Sequence, residues 1–214
     1  MLVRLDAWTD FTCPFCFLAT LTLDRLHQDA QVDLHWRSYQ LRSPGAGPMP
    51  ADMRTIIEKE HVRVVEIART QHGLALRPGP IGISTRPAHI ATKFAGSRQR
   101  ADQFHLAAMN AYWLEGRSLE DTQVLQDIAE QVGLDRVSLL EALEDRSFGA
   151  LVDADLIQAT NREIGGVPAV VFNGKYILAG AQPYAVFKRL LDQVSEQARE
   201  AEFRHSHRRA QAGD

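Results

Sequence analysis

Cysteine is nearly absent from this sequence. Two occur in 214 residues, and both fall in one stretch, "WTDFTCPFCFLATL", as Cys13-Pro14-Phe15-Cys16. With no other cysteine, a four-cysteine zinc site is excluded. A long apolar run is lacking too, and nothing approaches the ~20 residues that cross a bilayer. Excess charge of one sign is also missing: the formal net charge is −3, which leaves no large basic surface for general nucleic-acid binding. The opening, MLVRLDAWTD, has no basic segment followed by an apolar one, so no secretory signal and a cytoplasmic location are expected. There a structural disulfide does not persist, and a cysteine pair serves catalysis or metal binding instead.

What is present is ordinary for a soluble globular chain: 45% hydrophobic and 24% charged residues, in a length that suits one large domain or one domain carrying an insertion. Residues 2–8 (LVRLDAW) read as a short buried strand. Pro14 suits the first turn of a helix, where its missing N–H costs nothing, and Phe17, Leu18, Leu21 and Leu26 give that helix an apolar face. Residues 32–39 alternate as a second strand. A Pro/Gly-rich loop, 43–52, closes this βαβ unit. From 53 to 163 the periodicity is helical, with stripes such as Ile57, Val64 and Ala68, or Val137, Leu140 and Leu143. Ser118 and Asp121 form a loose capping pair for one of these helices. Strands return in "GGVPAVVFNGKYILAG", two apolar runs joined by Asn173-Gly174, a strong hairpin signal. A helix near Pro183 closes the fold, and the tail after 203 lacks an apolar period. The two ends need each other to complete one sheet. The expected division is therefore a discontinuous sheet domain, 1–43 with 164–203, a helical insertion, 44–163, and a tail, 204–214, without regular structure.

The cysteines stand at the strand-to-helix junction. A C-x-x-C there puts two sulfurs about one helical turn apart. Cys13 lies among backbone N–H groups with no intrahelical partner, and these donors with the helix dipole favour a thiolate. Cys13 is thus the expected nucleophile. Cys16, one turn inside beside Phe17 and Leu18, is expected to be buried and to resolve a mixed disulfide. Pro14 stiffens the turn. Phe15 is expected at the surface, in a loop that projects so that a substrate reaches Cys13. Asp10 is a candidate proton acceptor or shaper of the local field, with a turn or cap residue as the plainer reading. A zinc reading would have to recruit His205 and His207 from the tail, so no metal site is expected. Val167-Pro168 precedes a strand, the position a proline can occupy. His89 and His105 read as packed or surface residues.

DFTCPFC near the start, "AYWLEGRSLEDTQVLQDIAEQVGLD" in the helical middle, and GGVPAVVFNGKYILAGAQ near the end together resemble the DsbA-like thioredoxin superfamily, and within it the FrnE type, over about residues 1–195. The resemblance implies an α/β, thioredoxin-like fold (βαβ…ββα) with an inserted all-helical domain over the active site. It also implies that Cys13 is nucleophile and Cys16 resolving thiol, that Pro168 is cis and faces the disulfide, and that Val167 offers backbone hydrogen bonds to a substrate strand. Many FrnE-type relatives carry tryptophan where this chain has Phe15, and the periplasmic oxidase carries histidine. Some relatives carry a second, C-terminal cysteine pair, so a relay through such a pair is absent here. The implied activity is thiol–disulfide exchange on protein or small-molecule partners. No cofactor is implied beyond the redox-active disulfide, with a low-molecular-weight thiol such as glutathione as co-substrate. Neither nucleic acid nor membrane is implied as a partner, and the chain is expected as a monomer or homodimer. Two alternatives carry different chemistry. One is a glutathione-dependent transferase or isomerase of the kappa and hydroxychromene-carboxylate isomerase group, which resembles the same fold with serine at the position of Cys13. The other is a thiol-dependent holdase that binds through apolar surface near Phe15.

Overall fold

A computed structural model of the chain describes residues 2–30, 32–42, 45–47 and 49–211, with side chains through 202 and at Arg204. β1 (Val3–Thr9) leads into α1 (Pro14–Asp29), and β2 (Val32–Ser38) returns parallel to β1, with Val3 opposite Val32 and Thr9 opposite Ser38. Six helices follow: α2 (Ala51–His72), α3 (Arg86–Ser97), α4 (Ala101–Trp113), α5 (Thr122–Gln131), α6 (Arg136–Glu144) and α7 (Arg146–Asn161). Among the described residues no strand interrupts them. β3 (Ala169–Phe172), β4 (Tyr176–Ala179) and α8 (Tyr184–Gln211) complete the chain. The four strands form one sheet in the order β2-β1-β3-β4, with β3 antiparallel to β1 and to β4.

Local chemistry explains the turns. Asn173 and Gly174 have φ of 46° and 71°, the paired positive values of the tight hairpin turn that Asn-Gly favours. Asp121 caps α5 by accepting from the Gln123 N–H at 2.9 Å, and Asp135 caps α6 by accepting from Ser138 N–H at 2.7 Å. The expected capping partner Ser118 instead accepts from Glu120 N–H outside the helix.

The period-two alternation of β1 sends its residues to two different layers. Leu5 and Ala7, with Val170 and Phe172, meet Leu23 and Leu26 of α1 and Phe187 and Leu191 of α8. Trp8, with Ala169 and Val171, meets Ala159 of α7 and Ile164. Each fully buried leucine, valine or phenylalanine among them contributes about 1.5–3 kcal/mol. The largest apolar cluster joins the start of α1 to the helical layer through Phe11, Cys16, Phe17, Phe104, Trp113 and Leu125.

Three expectations need correction. The tail does not lose its structure at 204, since α8 runs to Gln211 and residues 212–214 lie outside the described ones. An apolar period is not required once a helix is nucleated by packing upstream. Good helix formers and ion pairs at i,i+3 and i,i+4, Arg199–Glu196 and Arg204–Glu200, suffice to extend it. On α6 the buried residues are Leu139 and Ala142, while Val137 and Leu140 are exposed. The helix is short enough that two competing stripes fit its sequence, and contact with α3 and α5 selects between them. Finally, α2 starts at Ala51, inside the expected loop 43–52, of which Ser43, Pro44 and Pro48 lie outside the described residues.

Candidate active site

The site forms where β1 ends and β3 begins. Antiparallel pairing sets Trp8 opposite Ala169, so the residues just after one strand and just before the other meet at one end of the sheet. Cys13 is the N-cap of α1, with extended φ and ψ of −80° and 115°, and Pro14 follows in the first turn. The Cys13 sulfur accepts a hydrogen bond from Cys16 N–H at 3.3 Å, a donor of the kind that stabilises a thiolate. From the other side the Cys13 thiol donates to the Val167 carbonyl at 3.6 Å, across 154 positions of sequence. The Val167–Pro168 peptide is cis, and the Pro168 carbonyl accepts from Gly180 N–H at 2.8 Å. Neither cysteine is in a disulfide.

The two thiols sit in different environments. Cys16 is fully buried, and burial pushes its thiol well up. Its hydrogen bond and charge interaction with Cys13 push the same way, against a weaker opposing bond from Asp10 N–H at 3.5 Å. Cys16 therefore holds its proton at neutral pH. Asp10 is buried and its carboxylate is fully engaged. One oxygen accepts from Thr12 N–H at 2.8 Å and the Thr12 hydroxyl at 2.7 Å, and the other from Leu41 N–H at 2.9 Å and the Thr85 hydroxyl at 3.1 Å. It braces the cysteine loop against the β2 exit and the start of α3, and its negative charge adds to the rise at Cys16.

Burial differs from expectation around the motif. Cys13 is 4% exposed, and Phe15 is half-buried, packed against the helical layer with the Arg63 guanidinium 5.7 Å from its ring centroid. The cause is α2, which lies across the loop and covers the residues that a bare strand–helix junction would leave in solvent. Beneath α2 a cavity of about 700 Å³ opens onto Cys13. Its walls include Phe15, Ile57, His61, Ile83 and Tyr112. A smaller groove of about 280 Å³ runs along Gly166, Val167, Pro168 and Ile177.

Sequence reasoning missed His61 and Tyr112 as part of this site. A signal for His61 existed: it falls on the same helical stripe as Ile57, Val64 and Ala68, where a polar residue is out of place. His89 and His105 do not line the cavity. They pack on Phe11 with ring centroids at 4.9 and 5.0 Å. Among the described residues no group of three histidine, cysteine or acidic side chains is placed to hold a metal ion, and no helix is long and apolar enough to cross a membrane.

The chain is 24% identical over 196 residues to the protein YwbO of Bacillus subtilis, covering 89% of this chain and 96% of that one. It is also 24% identical over 170 residues to a 2-hydroxychromene-2-carboxylate isomerase of Pseudomonas putida, covering 77% and 83%. Among solved structures, the probable DsbA oxidoreductase SCO1869 of Streptomyces coelicolor superposes with a TM-score of 0.77 at 25% identity, over 91% of this chain and 90% of that one. The family model for the DSBA-like thioredoxin domain matches residues 4–192, and the chain belongs to that family, whose members include thiol–disulfide oxidoreductases.

Proposed function

We propose that the chain is a thiol–disulfide oxidoreductase working through the Cys13–Cys16 couple. The observation that carries this reading is the placement of Cys13 at the α1 N-cap, between the Cys16 N–H and the Val167 carbonyl, with Cys16 protonated behind it. In the reducing direction, Cys13 thiolate attacks one sulfur of a substrate disulfide. A Cys13–substrate disulfide forms and the first substrate thiol leaves. Cys16 then attacks the Cys13 sulfur as its proton passes to the departing substrate sulfur, which releases the second thiol and leaves Cys13–Cys16 oxidised. The two electrons come from the protein thiols, so no further cofactor is required. Two equivalents of a low-molecular-weight thiol such as glutathione return the pair to its starting state and leave as their own disulfide. Asp10 tunes Cys16 through its charge, Pro14 and Phe15 shape the approach, and Val167 with Pro168 borders the groove for a substrate strand. We assign the chain to the FrnE type, acting in the cytoplasm as a monomer or homodimer. We take residues 44–163 as a unit inserted between the two parts of the sheet domain, 1–43 and 164–203.

The test is trapping. Cys16→Ser should accumulate mixed disulfides with partners because the first attack proceeds and the second does not, whereas Cys13→Ser should accumulate none. Equal trapping by both variants overturns the assignment of roles. Absence of any Cys13-dependent turnover of insulin, scrambled ribonuclease and small disulfides alike overturns the activity.

A second reading is favoured by the cavity together with the similarity to 2-hydroxychromene-2-carboxylate isomerase: a glutathione-dependent isomerase of small molecules. It needs no resolving thiol. Cys16→Ser would then keep full isomerase activity, an outcome incompatible with an exchange cycle.

A further inference from the structure

The cavity over Cys13 has a composition that a protein-disulfide enzyme does not need. Its volume of about 700 Å³ lies within the ~300–1,000 Å³ range of small-molecule sites. Its walls are mostly aliphatic or aromatic, among them Met49, Ile57, Ile81, Ile83, Phe15 and Tyr112. Few charged groups line it. The Arg42 guanidinium is spent on the Ala46 and Gly47 carbonyls, and Glu60 pairs with Arg63 at 3.7 Å.

Two side chains in this wall keep a buried polar atom without a hydrogen-bond partner among the described residues: Glu60 at Oε2, which still has the Arg63 charge to pair with, and His61 at Nε2, which has no such pairing. His61 is 9% exposed, and its Nε2 finds no hydrogen-bond partner among the described residues. Its ring stands edge-on to Trp113 at 5.1 Å. Burial lowers its pKa, with Glu58 opposing more weakly, so the imidazole is neutral at pH 7. A buried imidazole without a partner carries a desolvation cost of about 1–3 kcal/mol. Nε2 is closed off from open space in this placement, so a ligand hydroxyl or carbonyl recovers the cost once the ring turns about its Cβ–Cγ bond to bring a nitrogen to the cavity, where neutral imidazole both donates and accepts.

We infer that the cavity binds an uncharged, largely apolar small disulfide, aromatic or branched aliphatic, carrying a hydroxyl or carbonyl group that His61 anchors while Cys13 attacks the sulfur. This rests on the exchange activity proposed above. The step is the same: Cys13 forms the mixed disulfide, one small thiol leaves, Cys16 resolves, and an added dithiol re-reduces the protein. His61 acts here as a specificity-determining residue.

Single-turnover kinetics of the reduced full chain would compare bis(4-hydroxyphenyl) disulfide with diphenyl disulfide and oxidised glutathione, each normalised to its rate with free dithiothreitol. Both aromatic disulfides should saturate, and oxidised glutathione should not. The hydroxylated compound should half-saturate at a concentration about five- to tenfold lower than its parent, the worth of one neutral hydrogen bond. His61→Leu should reduce that ratio to about one, and His61→Asn should restore part of it. Ile57→Trp, which fills the cavity from the same face of α2, should abolish saturation and serves if His61→Leu does not fold. A preference ratio that survives His61→Leu, or an aromatic rate linear in concentration, overturns the inference. Calorimetry with 4-phenylphenol on the Cys13→Ser protein separates the two claims. Binding that weakens on adding His61→Leu supports the cavity assignment even if exchange fails, and absence of binding overturns it even if insulin is reduced.

Discussion

Two helices of the helical layer meet the rest of the molecule by opposite means. α7 is fastened by buried charge. The Asp155 carboxylate accepts from Lys93 of α3, from Arg37 of β2 at 3.0 Å and from Ser38 N–H at 2.8 Å, and its carbonyl accepts from the Trp8 indole at 3.1 Å. Arg37 continues to Asp6 at 2.7 Å, and Asp6 to Arg4 at 3.0 Å. α2 has nothing comparable. Among the described residues its side chains make no hydrogen bond or ion pair outside the helix itself. It is held by Val64, Ala68 and His61 against the α1 and Trp113 cluster, and its first turns, with Met53 and Ile56, are exposed. Directional bonds fix a geometry, whereas apolar contact fixes only an area. The difference teaches where this fold is a frame and where it is a wall: α7 sets the sheet against the helical layer, and α2 closes the cavity over Cys13.

The comparison breaks most visibly at Asp155. Its side chain is 2% exposed, and the cations it serves are themselves largely buried, Lys93 at 13% and Arg37 at 20%. Asp155→Ala leaves Lys93 without its carboxylate while Arg37 keeps Asp6, and removing one partner of a buried ion pair typically costs about 3–5 kcal/mol. Burial already lowers the Lys93 pKa, so deprotonation there recovers part of the loss and puts the expected value at the lower end. Urea unfolding measures it. A loss below about 1 kcal/mol would mean that α7 is held by packing, as α2 is, and the contrast would vanish.

The same contrast explains what could be read from the sequence. Cys13, Pro14, Cys16 and the Asn173-Gly174 turn are local statements: a residue type, a spacing and a backbone conformation decide them within a few positions. The element order followed from periodicity in the same way. The approach of Val167 to Cys13 was not local, because it depends on β1 and β3 pairing in the register that sets Trp8 opposite Ala169. Phe15 was expected in solvent because the sequence does not say which helix crosses the loop, and His61 entered the site for the same reason. Val137 and Leu140 misled because a nine-residue helix offers two stripes and only its neighbours choose. The Asp155 network joins β1, β2, α3 and α7 through residues that each look like ordinary surface charge in isolation.

Acid should attack the charged side. His89 of α3 is fully buried, and burial lowers its pKa from 6.5 to about 4. Asp10 and Asp155 oppose this and Lys93 adds to it. The unfolded chain therefore binds a proton at His89 that the folded chain refuses between pH 6.5 and about 4. Stability from this group is complete above 6.5 and is lost as pH falls through that window, by about 3 kcal/mol in all. His105, also pushed down by burial, and His61 act in the same sense. Thermal unfolding from pH 7 to 4.5 should show a falling Tm, and His89→Leu should flatten the slope by the share of one proton. A slope unchanged by His89→Leu would assign the acid sensitivity to the other two histidines.

The smallest effect concerns α2, and it has two halves. Val64 is fully buried against the α1 cluster, whereas Met53 on the same helix is 51% exposed at the cavity rim. Val64→Ala removes two methyl groups from a packed site and should cost about 1.5–2 kcal/mol. Met53→Ala removes a larger side chain yet should stay within about 0.5 kcal/mol, because little of it leaves water on folding. If apolar area alone holds the helix, the loss at Val64 should be nearly independent of salt up to 0.5 M, while the loss at Asp155, which includes partly exposed Arg37, should shrink as salt rises. Equal salt dependence at the two positions would show that α2 too is held by charge.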